Sequence, residues 1–336
     1  MNTSGGGALA PDVEAFLSRT SIFCQPWWLE AVSPGQWGVA VARRGEEVAG
    51  AWPYTFTMKL GRYRLLETPK LFFFLGPWLR PSTAKSARRL ETEKDILTEL
   101  EAPLPPFAAF HQWFHPGVTN WLPLYWKGFT QTTRYTYRVA EPGDKDALWG
   151  GLKENIRTDI KKAGKQVRVI EEANAERLLT VLRATYARQG AQMPFPESTF
   201  LRLDAECAAR GVRRIVSAVD EQDRVHASAY LVSDASSVYS LMRAADPELR
   251  NSGASSLVMW EALQHAAQEH KAFDFVGSHV EPIERFVRAF GGLQVPFFEI
   301  SKMNSVVVST YRASWILAHR AAQALNFKKS WRRPSV

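Results

Sequence analysis

The chain has 336 residues, 46% hydrophobic and 23% charged, the composition of a soluble globular protein with room for two domains. Its formal net charge of +8 points to an anionic partner or substrate such as a phosphorylated cofactor, nucleic acid or acidic lipid. Its two cysteines, Cys24 and Cys207, exclude a disulfide framework and a thiolate metal centre; they fit buried thiols in a reducing cytoplasm.

The start, MNTSGGGALAPDVEAF, lacks the basic and apolar regions of a signal peptide, and residues 1–19 read as a flexible leader. The most apolar run, Leu71 to Leu79, is too short to span a bilayer and is interrupted by Gly76-Pro77, so a cytoplasmic location is expected. Pro26-Trp27-Trp28-Leu29 opens a short helix with proline in its first turn. Val39 to Ala42 and Val48 to Thr57, around a polar turn, predict a hairpin. Leu71 to Leu75 reads as a buried strand, 83–100 as a helix, and Phe107 to Phe114, Leu122 to Tyr125 and Phe129 to Val139 as further strands. These elements form a first domain over 20–140.

A second domain is expected over 141–303. Asp144 is a good N-cap for a helix running to about Lys165, with Leu148, Leu152, Ile156 and Ile160 on one face. The other faces carry Lys153, Arg157, Lys161, Lys162 and Lys165, either a solvated surface or a contact for phosphate. A strand at Val167 to Ile170, helices over 175–188 and 197–210, and a hairpin from Val212 to Val232 follow. This hairpin echoes the first at an offset of roughly 178 residues (Ala40 against Ala218), which suggests an internal duplication. The tail 304–336 reads as one helix with a basic end, packed on its own domain or lying on a membrane surface.

The stretch from Ser236 to Ile300 carries the chemistry. Val238 to Met242 is a strand, Asp246-Pro247 a turn, and Arg250-Asn251-Ser252-Gly253-Ala254-Ser255 opens a long helix. Free N–H groups, the positive dipole end, a glycine and an arginine together make an anion site. Then come strand Phe273-Asp274-Phe275-Val276-Gly277-Ser278 and helix Ile283-Glu284-Arg285-Phe286, ending in Phe290-Gly291-Gly292.

In this order, and with Asn155-Ile156-Arg157 and Ile160-Lys161-Lys162-Ala163 ahead of them, these motifs resemble the GNAT (GCN5-related N-acyltransferase) superfamily, in a branch similar to the Fem-type transferases. The resemblance implies an α/β fold of tandem GNAT-like domains, mixed sheets flanked by helices, with the complete site in the second domain. It implies N-acyl transfer from acyl-CoA (acetyl-CoA) to an amine of a small or medium-sized, anionic or neutral acceptor, without a metal. Aminoacyl transfer from charged tRNA is the alternative, and a non-catalytic binding protein the third.

By the same resemblance, backbone amides at Leu241, Met242 and Arg243 hold the donor's acyl arm. Arg250, Asn251, Ser252, Gly253, Ala254 and Ser255 hold its pyrophosphate. Asp274, His279 and Glu281 are candidate bases, and Ser278 a candidate leaving-group partner. Arg157, Tyr186, Gln189 and Arg285 are expected at the acceptor. The tyrosine that many GNAT enzymes place before the terminal glycine is replaced by Val287 or Arg288, so the leaving-group donor is open. No His/Cys cluster, Walker loop or nucleophile elbow occurs.

Overall fold

The computed structural model describes residues 3–4, 9–140, 143–188, 190–277, 280–311 and 314. The first half contains β1 (Thr3–Ser4), α1 (Pro11–Leu17), α2 (Pro26–Val32), β2 (Trp37–Arg44), β3 (Glu47–Lys59), β4 (Tyr63–Glu67), β5 (Trp78–Leu79), α3 (Ser86–Glu101), β6 (Ala109–Trp113), α4 (Leu122–Trp126) and β7 (Thr130–Val139). The second contains α5 (Lys145–Gly151), α6 (Glu154–Ala163), β8 (Arg168–Glu171), α7 (Glu176–Arg188), α8 (Glu197–Ala209), β9 (Arg213–Val219), β10 (Val225–Ser233), β11 (Ser237–Ala245), α9 (Ala254–Gln268), β12 (Ala272–Asp274), α10 (Glu281–Arg288) and β13 (Leu293–Met303).

The strands join in one mixed sheet in the order β1-β2-β3-β4-β6-β13-β7-β12-β11-β10-β9-β8, with β5 paired to β3. Taken from its two ends inward, this order repeats. The β2–β3 hairpin matches β9–β10, β4 matches β11, β6 matches β12, and β7 matches β13. Parallel pairing recurs at β4–β6 and β11–β12. The last strand of each half crosses over: β13 pairs with β6 and β7 pairs with β12, while β7 and β13 pair with each other from Leu293↔Arg138 to Ser301↔Thr130. The duplication suggested by the two hairpins is thus a pseudo-twofold arrangement of the whole sheet.

One face of the sheet is covered by α1, α2, α7 and α8. Their core draws on both halves: Leu17, Trp28 and Phe74 pack in one cluster with Leu178, Phe200, Tyr239 and Phe297. On the other face each half keeps its own cluster, around Trp52 and Phe110 under α3 and α4, and around Trp260 and Phe273 under α5, α6, α9 and α10. The apolar surface removed from water at the shared core is what fixes the two halves against each other.

Several expectations are corrected. Residues 11–17, placed in a leader, form α1 and bury Val13 and Leu17, because proline starts the helix and its apolar positions meet the sheet. Leu71 to Leu75 is buried but irregular, since Leu71 adopts a positive φ of 66° that no strand continues. Leu122 to Trp126 is helical, with Pro123 in the first turn and Leu124 buried. The helix expected over 144–165 breaks into α5 and α6 at Leu152, whose ψ of 142° is extended. The break lets Lys153 donate its N–H to Ala289 O at 2.9 Å and lets Gly291 sit against Gly151. Asp144 does cap α5, accepting from the Ala147 N–H at 2.9 Å. The tail helix expected beyond 314 lies outside the described residues.

Candidate active site

Strands β11 and β12 run parallel only from Ser237↔Ala272 to Tyr239↔Asp274, while β11 continues to Ala245. The chain beyond Asp274 is drawn the other way, onto β7. Phe275 N–H donates to Tyr137 O, and Gly277 N–H donates to Thr136 Oγ1. Gly277 lies so close that a Cβ there would fall 2.2 Å from Tyr135 O. Between them Val276 is held at φ 51°, an uncommon conformation for a β-branched residue and a local store of strain. A gap therefore opens beside residues 240–245.

In the first half the equivalent gap is closed. After β4 the chain stays on β6, through Thr68 N–H to His111 O, Trp113 N–H to Thr68 Oγ1 and Leu75 N–H to Trp113 O.

At the open gap lies a cavity of about 270 Å³. Leu241, Met242, Arg243 and Val276 form one wall, Leu182, Tyr186, Pro194 and Phe195 another, and Lys70, Leu71 and Phe72 of the first half a third. Arg243 reaches across, its Nη1 donating to Phe275 O at 3.1 Å. Burial lowers its pKa to about 10, which leaves it a cation at neutral pH. Burial also raises the Tyr186 hydroxyl, so it stays protonated. Lys70 stands exposed, with no hydrogen bond or ion pair among the described residues.

The candidate bases fare differently. Asp274 is fully buried and does not line the cavity. Its Oδ1 accepts from Thr136 Oγ1 at 2.5 Å and from Val276 N–H at 2.8 Å, and its Oδ2 faces Arg138 Nε at 3.5 Å. Burial pushes its carboxyl up to about 6, against the opposing pull of Thr136, Val276 and Arg138. It ties down the bend that opens the gap, through Thr136 and the Val276 N–H. Glu281 and Arg285, assigned to base and acceptor roles, are exposed on α10 and pair with each other at 2.5 Å. Ser278, His279 and Gln189 lie outside the described residues.

The turn expected to seat pyrophosphate is covered. Gly253 takes φ 81°, as the turn into α9 requires, and a Cβ on it would fall 2.4 Å from Asp159 O of α6. Ser256 Oγ donates to Asp159 Oδ2 at 3.3 Å, and Lys162 Nζ donates to Asn251 O at 2.5 Å. Ser252, Gly253 and Ala254 are buried; Ser255 is half-buried. The Asp159 carboxylate thus lies by the start of α9, near its positive dipole end. Arg250 and Asn251 remain exposed, and Arg157 is half-buried without a side-chain partner among the described residues.

Residues 151–285 match the family model of the acetyltransferase (GNAT) domain. The second half of this chain carries a GNAT domain. The symmetric sheet makes the fold a tandem of two GNAT-like units. The structure of FemX superposes with a TM-score of 0.61 at 14% identity, over 87% of this chain and 96% of that one. L-PGS from Bacillus licheniformis superposes with a TM-score of 0.53 at 11% identity, over 91% and 95%. At these identities the likeness is one of fold. No curated protein matches the sequence.

Sequence reasoning missed Lys70, Leu71, Phe72 and Leu182, and it took from Arg243 only a backbone amide. No local pattern marks them, because a fold that crosses between halves brings them together. No described helix is long and apolar enough to cross a membrane, and no metal-holding cluster occurs among the described residues.

Proposed function

We propose that this protein transfers an acyl group to an amine in the cavity beside Arg243, from a donor whose phosphates do not rest on the turn at 250–255. An aminoacyl ester of tRNA meets that condition and is the favoured donor. The observation that carries this choice is α6 lying on Gly253, with Asp159 where a pyrophosphate would need amides. The exposed Lys153, Lys161 and Lys165, which share α6 and its flanks, suit a polyanionic donor.

The residues present suit the chemistry. The ester carbonyl enters the gap beside 240–245, and the neutral amine attacks it. The tetrahedral oxyanion forms near the Arg243 guanidinium, a fixed positive charge in a partly dry site. Tyr186 stays protonated and can donate a hydrogen bond to the leaving oxygen, which takes up the proton that the attacking nitrogen sheds as the C–O bond breaks. Asp274 keeps the gap open by holding the Val276 bend. Lys70 gives the acceptor side an unpaired positive charge, which fits an acceptor bearing an anionic group.

A second reading keeps acyl-CoA as donor. The free edge of β11 supports it, and in that case the pyrophosphate rests on the exposed Arg250 rather than on the turn's amides. Thermal-shift titration with charged tRNA, uncharged tRNA, acetyl-CoA and longer acyl-CoAs separates the two. Stabilisation by charged tRNA alone supports the first reading. Stabilisation by acyl-CoA that is lost in Arg250→Ala selects the second, and no shift with any donor removes both.

A further inference from the structure

The first half carries a cavity that the transfer reaction leaves unused. It has about 690 Å³, a volume that takes a small organic ligand, and its walls come from α1, the 77–82 stretch, α3 and the 115–120 loop. Its place in the fold is the counterpart of the transfer cavity. Helices α1 and α2 precede the β2–β3 hairpin as α7 and α8 precede β9–β10. Strand β5 pairs Leu79 and Trp78 with Gly50 and Ala51 of β3, much as β11 pairs Ala245 and Arg243 with Ala227 and Ala229 of β10. Phe16 of α1 and His115 after β6 thus line this cavity as Tyr186 of α7 and Val276 after β12 line the other. The gap between strands is closed in this half, yet the space beside it is kept.

The lining favours a flat aromatic body. The rings of Trp78 and His115 lie 4.3 Å apart at 36°, and Phe16, Pro77 and Pro81 add apolar surface. Trp78 is fixed in place by its Nε1–H, which donates to Cys24 Sγ at 3.0 Å. His115 Nδ1 accepts from the Gly117 N–H at 3.0 Å, so the ring proton sits on Nε2, a donor with no partner among the described residues. Burial lowers the His115 pKa to about 3, which keeps the ring neutral at pH 7. The charges favour an anion. Both acids of the lining are engaged, Asp12 with Arg43 at 2.5 Å and Glu93 with Arg89 at 3.7 Å and Asn120 at 3.4 Å. Arg80 is shared with Glu47 at 3.0 Å. Arg19 is exposed, and its guanidinium has no partner among the described residues. An uncompensated arginine beside aromatic surface suits a carboxylate, which it can hold through two parallel hydrogen bonds.

We propose that this cavity binds a planar aromatic carboxylate, with its ring against Trp78 and Phe16, its carboxylate on Arg19 and a polar ring substituent accepting from His115 Nε2–H. The site rests on residues of the first half alone and does not depend on which donor the second half uses.

The test is isothermal titration calorimetry of the full chain with 6-hydroxy-2-naphthoate, with 2-naphthol as the uncharged ring and octanoate as the aliphatic anion. The naphthoate is expected to bind most tightly of the three. Arg19→Glu should weaken it at least about tenfold while leaving 2-naphthol near its wild-type affinity. His115→Phe keeps a ring beside Trp78 and removes the donor, so the naphthoate should bind several-fold more weakly. Ala15 lines the cavity from an exposed position on α1, so Ala15→Trp should fold normally, which its melting temperature checks, and should abolish binding of both naphthyl compounds by filling the space. No heat with any of the three compounds overturns the proposal, as does octanoate binding as tightly as the naphthoate. Naphthoate binding that survives Ala15→Trp and is lost in Lys70→Glu also overturns it, since the ligand would then sit in the transfer cavity.

Discussion

Gly253 sits against Asp159 so closely that any Cβ there would meet the Asp159 carbonyl oxygen at 2.4 Å, and its φ of 81° is one that side chains avoid. Both effects act in the same direction. Gly253→Ala should therefore cost roughly 2–4 kcal/mol of stability, from a left-handed alanine plus a backbone clash that α6 must absorb. Thermal melting reads this directly; an unchanged melting temperature would mean that α6 does not lie on the turn. A change at Gly253 thus cannot report donor binding by itself, and Arg250 is the residue to vary for that.

Among the described residues, Arg243 is the one cation whose side chain crosses the gap. Arg243→Met should lower kcat by about a hundredfold or more if the guanidinium stabilises the oxyanion, with a smaller change in KM. Arg243→Lys should recover part of the loss by restoring charge without the planar fork. Equal kcat in wild type and Arg243→Met, measured on folded protein, would remove Arg243 from the mechanism.

Tyr186 stands on α7 and lines the cavity. Tyr186→Phe keeps the ring's packing and removes the proton donor, so a fall of about ten- to a hundredfold in kcat is expected with donors whose leaving group is poor. An activated ester, which needs no proton to leave, should show a much smaller effect. If both donors slow equally, Tyr186 acts through packing alone.

Asp274 offers a pH test of the bend. Its carboxyl is raised from the ordinary value of 3.8 to about 6, so the folded chain holds a proton that the unfolded chain has already released. Its contribution to stability is therefore full below about pH 4 and is lost as pH rises through 6. Asp274→Asn cannot ionise, so its stability relative to wild type should improve steadily from pH 4 to pH 7. Parallel stability curves for the two proteins would show that Asp274 does not titrate in this range.

Lys70 belongs to the first half yet lines the second half's cavity. Lys70→Glu should raise KM for an anionic acceptor by about tenfold while leaving kcat near wild type, since the charge lies at the rim. It should do little to an uncharged acceptor. A kcat effect without a KM effect would place Lys70 elsewhere in the reaction.

The order of elements in the second half was legible because it is written in local patterns. Alternating apolar residues, the Asp144 cap, Asp246-Pro247 and the glycine before α9 each act over a few residues. The same locality explains the limits. Leu71 to Leu75 has the composition of a strand, but Leu71 takes a φ of 66° that no regular ladder continues. Asp274 reads as a base because a carboxylate in an apolar run needs a partner or a task; the fold adds partners far along the chain, Thr136 and Arg138, that the sequence does not display. By itself the sequence determined the two matching hairpins, the helix starts and the motifs that resemble an acyltransferase. Only the tertiary structure decided that β7 and β13 cross between halves, that Lys70 and Phe72 wall the cavity and that α6 covers the turn at Gly253. Those relations join residues far apart in the chain, and burial and backbone pairing set them rather than any short-range preference.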